Sequence, residues 1–148
     1  IPPFSQKLSE KDRLSLAKAG GEHFADFLQY GIPAINLCAQ NAVNTAFVND
    51  VSAEAVYAQM MYAYAKENDC AVCISTSGNS ANVVNAAIAA KAKSIPVISL
   101  TGKDGGKLND FSDVVIKVPE TETYKVQELH LPVYHFLCAA LESEMFGD

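Results

Sequence analysis

The chain is expected to fold as an α/β three-layer sandwich, a parallel sheet with helices on both faces. Three observations predict it. Apolar runs at Ala71–Ile74, Ile95–Thr101 and Val114–Val118 alternate with stretches of helical periodicity. The runs are apolar on both faces of the strand, as strands covered from both sides are; Ser99 is the exception in the second. The first two run directly into hydroxyl- or glycine-rich loops, Ser75–Ser80 and Thr101–Gly106. In a parallel sheet both loops leave from strand carboxyl ends and lie on one rim, where ligands of such sheets bind.

The elements follow in order. Ser9 is the N-cap of a first helix, with Asp12 three residues on as an imperfect capping box, and Gly20-Gly21 ends it. A short second helix over residues 22–29 stops at Gly31, before Pro33. Residues 32–38 form a β-type run. Asn49-Asp50 caps the helix that carries Val56, Met60, Met61 and Tyr64. After the Ala71–Ile74 strand, Val83, Val84, Ala87 and Ile88 mark an amphipathic helix, closed by Lys91 and Lys93 with the charge its C-terminus favours. A long helix from Thr123 to Met145 finishes the chain. The organisation expected is one domain, 1–148, with a helical segment at 1–31 and the sheet core and C-terminal helix at 32–148.

Composition narrows the function. A chain of 148 residues that is 49% hydrophobic and 19% charged folds, and it has apolar surface to hide against copies of itself. A net charge of −6 argues against nucleic acid, whose binding draws on Lys and Arg. No apolar run approaches the ~20 residues that span a bilayer. A cytoplasmic protein without membrane or nucleic-acid partners is expected. Cys38, Cys70, Cys73 and Cys138 sit among apolar neighbours and are expected to be buried, reduced thiols. Cys70 and Cys73 have the spacing of a metal or redox pair, but residues three apart on a strand face opposite ways. Nucleotide cofactors are not expected: Gly102, Gly105 and Gly106 lack the dinucleotide-binding spacing, and Gly106-Lys107-Leu108 lacks the hydroxyl of a P-loop.

Ser75, Thr76, Ser77 and Ser80 are the strongest chemical signal. They surround Gly78 at a predicted helix start, where unpaired N–H groups and about half a positive charge attract an anion. Capping needs one hydroxyl, and this loop has four, so it is a candidate phosphate site. The second constellation lies on the last helix, where Gln127, Glu128, His130 and His135 place two of the three histidines beside a carboxylate. Gln127 and His135 are eight residues apart, ~12 Å along a straight helix. Pro132 between them removes a ladder hydrogen bond and commonly kinks a helix.

The segments Ile74-Ser75-Thr76-Ser77-Gly78-Asn79-Ser80, Leu100-Thr101-Gly102-Lys103-Asp104-Gly105-Gly106-Lys107-Leu108 and Gln127-Glu128-Leu129-His130 with His135 resemble the sugar isomerase (SIS) domain family, a flavodoxin-like fold. Within it they look most like the phosphoheptose isomerases, which convert sedoheptulose 7-phosphate to D-glycero-D-manno-heptose 7-phosphate. The resemblance implies a phosphosugar substrate held by Ser75, Thr76, Ser77 and Ser80. It implies a catalytic and metal site that includes Gln127 and His135, zinc as the metal, His135 as acid–base group, and Asp50 near the sugar. A homotetramer is implied as well. Two departures stand out. Tyr124 occupies a place where some members have an acid. The family's first helix, Gly-Asn-Gly-Gly-Ser loop and metal-binding His/Glu helix have no counterpart, so the domain is expected to be incomplete at its N-terminus. His23 with Asp26 imitates that pair only superficially, and the ligand role is not carried onto it.

Moving a carbonyl between C1 and C2 of a phosphosugar needs a base, an acid near the oxygens and stabilisation of the enediolate, which these residue types can supply. The competing reading is a non-catalytic SIS module that binds phosphosugars or bridges proteins; it would not need His135. An aminosugar-phosphate enzyme or etherase of the same family would keep the loop without needing Gln127 and His135 together.

Overall fold

The computed structural model describes residues 6–146, which form two compact units. Among these residues, one comprises 6–34 with 133–146, the other 35–132. The second half of the C-terminal helix therefore groups with the N-terminal segment.

In the first unit, α1 (Glu10–Leu16) starts at Ser9, whose Oγ accepts from the Asp12 N–H at 3.1 Å. The imperfect capping box acquires a third member, because the Tyr30 hydroxyl donates to the Asp12 carboxylate and accepts from the Ser9 N–H. These hydroxyls, Tyr30 first, hold the Asp12 carboxyl below the usual carboxylate range. Gly20, at φ +92°, puts a kink in the chain and does not end it: a π-helical turn at Ala17–Gly21 leads into α2 (Glu22–Ala25). α2 stops well short of Gln29. The Tyr30 ring stacks on Phe146 at 5.9 Å, which joins the start of the chain to its end.

The second unit contains the sheet. Strands β1 (Ala71–Ile74), β2 (Val97–Thr101) and β3 (Val114–Lys117) are parallel, in the order β1-β2-β3. Helices α3 (Asn41–Asp50), α4 (Val56–Tyr64), α5 (Ala81–Ala92), α6 (Leu108–Phe111) and the first part of α7 (Thr123–Phe146) accompany them. The core lies where β1 and β2 meet α5. Ala87 and Ala90 are buried, and these small side chains let the helix lie close to the strands, with Ala71, Cys73 and Val97 in the same cluster. Fully burying a side chain such as Leu108 or Leu100 stabilises by about 1.5–3 kcal/mol. Ser99, the polar exception in β2, is also buried, and its hydroxyl is paired with that of Ser112 at 2.6 Å. On β1 the alternate residues Val72 and Ile74 remain 60% and 53% exposed, and no residue of β3 is buried, so burial on both faces is confined to the central strand β2.

Several local expectations are corrected. Residues 32–38 form no strand: Pro33 offers no N–H to a ladder, and the Asn36 side chain accepts from the Cys38 N–H at 2.9 Å, setting up a 3₁₀ turn at Leu37–Ala39. Asn49-Asp50 is not an N-cap but the C-terminal end of α3. Ser52 organises the approach to α4, its Oγ accepting from the Ala55 N–H. Lys93 reaches across, its ammonium donating to the Tyr62 carbonyl at 2.8 Å and to that of Ala65, and so serves the end of α4. Cys38, Cys70 and Cys138 are exposed, and only Cys73 is buried. Apolar sequence neighbours did not imply burial, because these three lie in a turn, before a strand and on a helix surface.

Burial, and then the neighbouring Cys70, push the Cys73 thiol up to about 11. At pH 8 its thiolate fraction is thus about two orders of magnitude below that of an ordinary thiol. Iodoacetamide should label Cys38 and Cys138 in the folded protein and reach Cys73 only in denaturant, as read by peptide mass spectrometry.

Candidate functional site

Parallel registry places Ile74 beside Leu100 and Thr101 beside Lys117, so the loops after all three strands leave from one rim. The Ser75 N–H extends the ladder to the Leu100 carbonyl at 3.1 Å, and the chain then turns, the Gly78 N–H reaching the Ser75 carbonyl at 3.0 Å. Ser75 is buried, Thr76 half-buried, and Ser77 and Ser80 exposed. The Ser77 Oγ accepts from the Asn79 N–H, and the hydroxyls of Ser75 and Ser80 lie 3.0 Å apart. Ser80 is the N-cap of α5 by position, yet its side chain makes no capping hydrogen bond. Its backbone carbonyl accepts from Val83 and Val84. The N–H groups of Ala81 and Asn82, in the first turn, have no intrahelical acceptor. Exposed hydroxyls thus lie in a loop that carries no charged side chain and leads into the positive end of a 12-residue helix.

The loop after β2 holds this one from behind. The Gly102 N–H donates to the Thr76 carbonyl at 2.9 Å, the Leu108 N–H to the Gly78 carbonyl at 3.1 Å, and the Lys107 N–H to the Asn79 Oδ1 at 3.0 Å. The contact is backbone on backbone. A Cβ on Gly78, at φ +66°, would lie 1.9 Å from the Gly105 carbonyl oxygen, and one on Gly106 would lie 2.4 Å from that of Ser77. The sequence reading missed Asn79 and the Gly105-Gly106 pair as supports of the hydroxyl loop. The available signal was a glycine pair at the same rim as the serines.

The other candidates are placed as follows. Gln127 and Glu128 are exposed on α7, while His130 is 3% exposed, its Nε2 3.1 Å from the Thr101 carbonyl. His135 is exposed, edge-on to Tyr134 at 5.0 Å. Gln127 belongs to the 35–132 unit and His135 to the other, the division falling at Pro132. Asp50 is exposed at the end of α3. The turn after it is pinned to α5 through the Asn85 side chain, which donates to the Glu54 carbonyl at 3.0 Å. Among the described residues, no hydrogen bond joins Asp50 to the Ser75–Ser80 loop, and no three His, Cys, Asp or Glu side chains converge as metal ligands. Zinc takes at least three protein ligands, so the donors present do not by themselves fit a zinc centre. A cavity of about 980 Å³ opens at the opposite, amino-terminal ends of β1 and β2, bounded by Lys66, Asp69, Cys70 and Lys93. It is wide, and the fold places ligand chemistry at the other rim.

Residues 42–140 match the SIS domain model, two-thirds of the chain. The phosphoheptose isomerase of Sulfurimonas denitrificans is 36% identical over 137 residues, covering 88% of this chain and 70% of that protein. That of Leptospira biflexa is 39% identical over 130 residues, 88% of this chain and 64% of that protein. The chain thus spans about two-thirds of the length of these curated relatives. Among solved structures, a phosphoheptose isomerase from Neisseria gonorrhoeae superposes with a TM-score of 0.72 at 37% identity, covering 82% of this chain and 69% of that one. One from Francisella tularensis gives 0.72 at 27% identity, covering 90% and 82%.

Gly78→Ala tests the contact between the two loops. A left-handed backbone and a carbonyl at 1.9 Å together should cost about 3 kcal/mol or more, lowering Tm by roughly 6 °C or more in a thermal melt.

Proposed function

We propose that this chain, which belongs to the SIS domain family, carries the substrate site of an aldose–ketose isomerase acting on a phosphosugar of the sedoheptulose 7-phosphate type. The observation that supports it most is the start of α5, where the N-cap hydroxyl of Ser80 is not used by its own helix. A phosphate seated there takes hydrogen bonds from Thr76, Ser77 and Ser80 and from the first N–H groups of α5. Ser75, buried beneath, orients Ser80 through their hydroxyl contact. The names of the similar proteins supply the reaction class.

With the phosphate held away from the reacting carbons, its binding energy orients C1 and C2 for proton transfer. His135 is the residue we assign to that transfer, with the Gln127 amide and Asp50 addressing sugar oxygens. Zinc belongs to this reading as a group that would polarise the carbonyl, with Gln127 and His135 as the donors this chain offers. Two donors fall short of a centre, and no step is derived through the ion.

Ser77→Ala with Ser80→Ala should remove two hydrogen bonds to a charged group, each about 1.5–3 kcal/mol, and weaken binding of sedoheptulose 7-phosphate roughly a hundredfold or more by calorimetry. Tm should stay within a few degrees. An unchanged affinity in a folded double variant would sink the phosphate assignment.

A homotetramer in the cytoplasm completes the reading. Phe27, Val51 and Phe136 are 78%, 67% and 71% exposed, apolar surface that a partner copy would cover. Four free cysteines suit a reducing compartment, and among the described residues no helix is long and apolar enough to cross a membrane. Light scattering should give about four times the 15.9 kDa chain mass, and a monomer at micromolar concentration would refute the tetramer.

A further inference from the structure

We propose that His130 is a positioning residue: its hydrogen bond to the Thr101 carbonyl holds Gln127 in a fixed place relative to the Ser75–Ser80 loop. The argument rests on the substrate-site reading above for what Gln127 and the loop do, and on geometry for the rest.

Three consecutive residues at the end of β2 connect everything on this rim. Leu100 accepts from the Ser75 N–H at 3.1 Å, and the Gly102 N–H donates to Thr76 at 2.9 Å, so residues on either side of Thr101 hold the hydroxyl loop. Thr101 itself faces α7. Its carbonyl oxygen, having no hydrogen to give, accepts at 3.1 Å from Nε2 of His130, which therefore carries the proton. The bond is buried, with Thr101 fully buried and His130 3% exposed. Val126 supports the same contact from one turn earlier, because a Cβ on Gly102 would lie 3.1 Å from its Cγ2. Gln127 stands between Val126 and His130 on the helix, exposed while they are buried. Its direction is thus set by the two neighbours that face the strand.

The carbonyl does not need His130 to be satisfied. It also accepts from the Val118 N–H at 3.0 Å, so deleting the imidazole leaves no orphaned buried acceptor. What deletion removes is the polar link between the helix that bears Gln127 and the strand end that holds the loop.

The test uses His130→Leu and His130→Gln, the amide nitrogen of glutamine standing as many bonds from Cα as Nε2 does. Hydrogen exchange is followed at the α7 amides from Val126 to Leu131 and at Ser75 and Gly102. Binding of inorganic phosphate and turnover of sedoheptulose 7-phosphate are measured alongside. In the leucine variant the α7 amides should exchange at least tenfold faster. Protection at Ser75 and Gly102 and the phosphate affinity should stay within twofold, and kcat should fall at least tenfold with KM within threefold. Glutamine should restore exchange and kcat to within threefold of the parent. Unchanged α7 exchange in the leucine variant overturns the proposal, as does failure of glutamine to restore it in a folded protein. A parent protein without phosphosugar turnover overturns the proposed function, and the exchange measurements still decide the role of His130.

Discussion

The rim of the sheet depends on one close approach, the backbone of Gly78 lying against that of Gly105 and Gly106. Parallel strands about 4.8 Å apart send their following loops out side by side. Loops at that spacing either splay apart or pack with nothing between their main chains. Here they pack, and hydrogen bonds from Gly102, Lys107 and Leu108 to the first loop replace the side chains that have no room. A Ser/Thr loop left to itself would sample many conformations. Held from behind, it presents its hydroxyls in one, and the ordering entropy that a ligand would otherwise have to offset is already met in folding.

The electrostatics of the rim follow from the same construction. The chain is acidic overall, yet its candidate anion site uses no lysine or arginine side chain. Attraction comes from oriented dipoles, the first N–H groups of α5 and neutral hydroxyls. Such a site discriminates by geometry more than by charge, since dipoles reward only groups that sit where they converge. It also loses less affinity in salt than a cluster of exposed cations would.

Much of this was legible in the residues. Short apolar runs separated by helical periodicity located all three strands and α5 and α7 within a few residues, because β-branched apolar runs favour strands and a helix needs one apolar face. The stretch at 32–38 was misread because a strand exists only with a partner to pair with, while the turn that Asn36 makes is purely local. α3 was overlooked because Asn41, Asn44, Thr45 and Asn49 are poor helix formers, and the bonds from the Asn44 side chain to the Leu37 and Cys38 carbonyls that tie it to the preceding turn leave no pattern in the sequence. The serines stood out by type. The contact that holds them did not, because backbone-to-backbone packing leaves only glycines in the sequence, and glycines there read equally well as a turn. Similarly, nothing in Gln127-Glu128-Leu129-His130 tells which residue turns inward until the strand it meets is known.

The uncapped start of α5 has a thermodynamic corollary. A helix whose cap is left open is slightly unfinished, and its first turn is the place where it frays. Whatever anion occupies that place acts as the absent cap, so binding there and the integrity of α5 become one equilibrium. A ligand present at a hundred times its dissociation constant adds about 2.7 kcal/mol to the folded state. That is a large fraction of the net stability of a domain this size. The amount of this protein that survives in a cell would then follow the concentration of its own ligand, through clearance of unliganded chains and with no dedicated regulator.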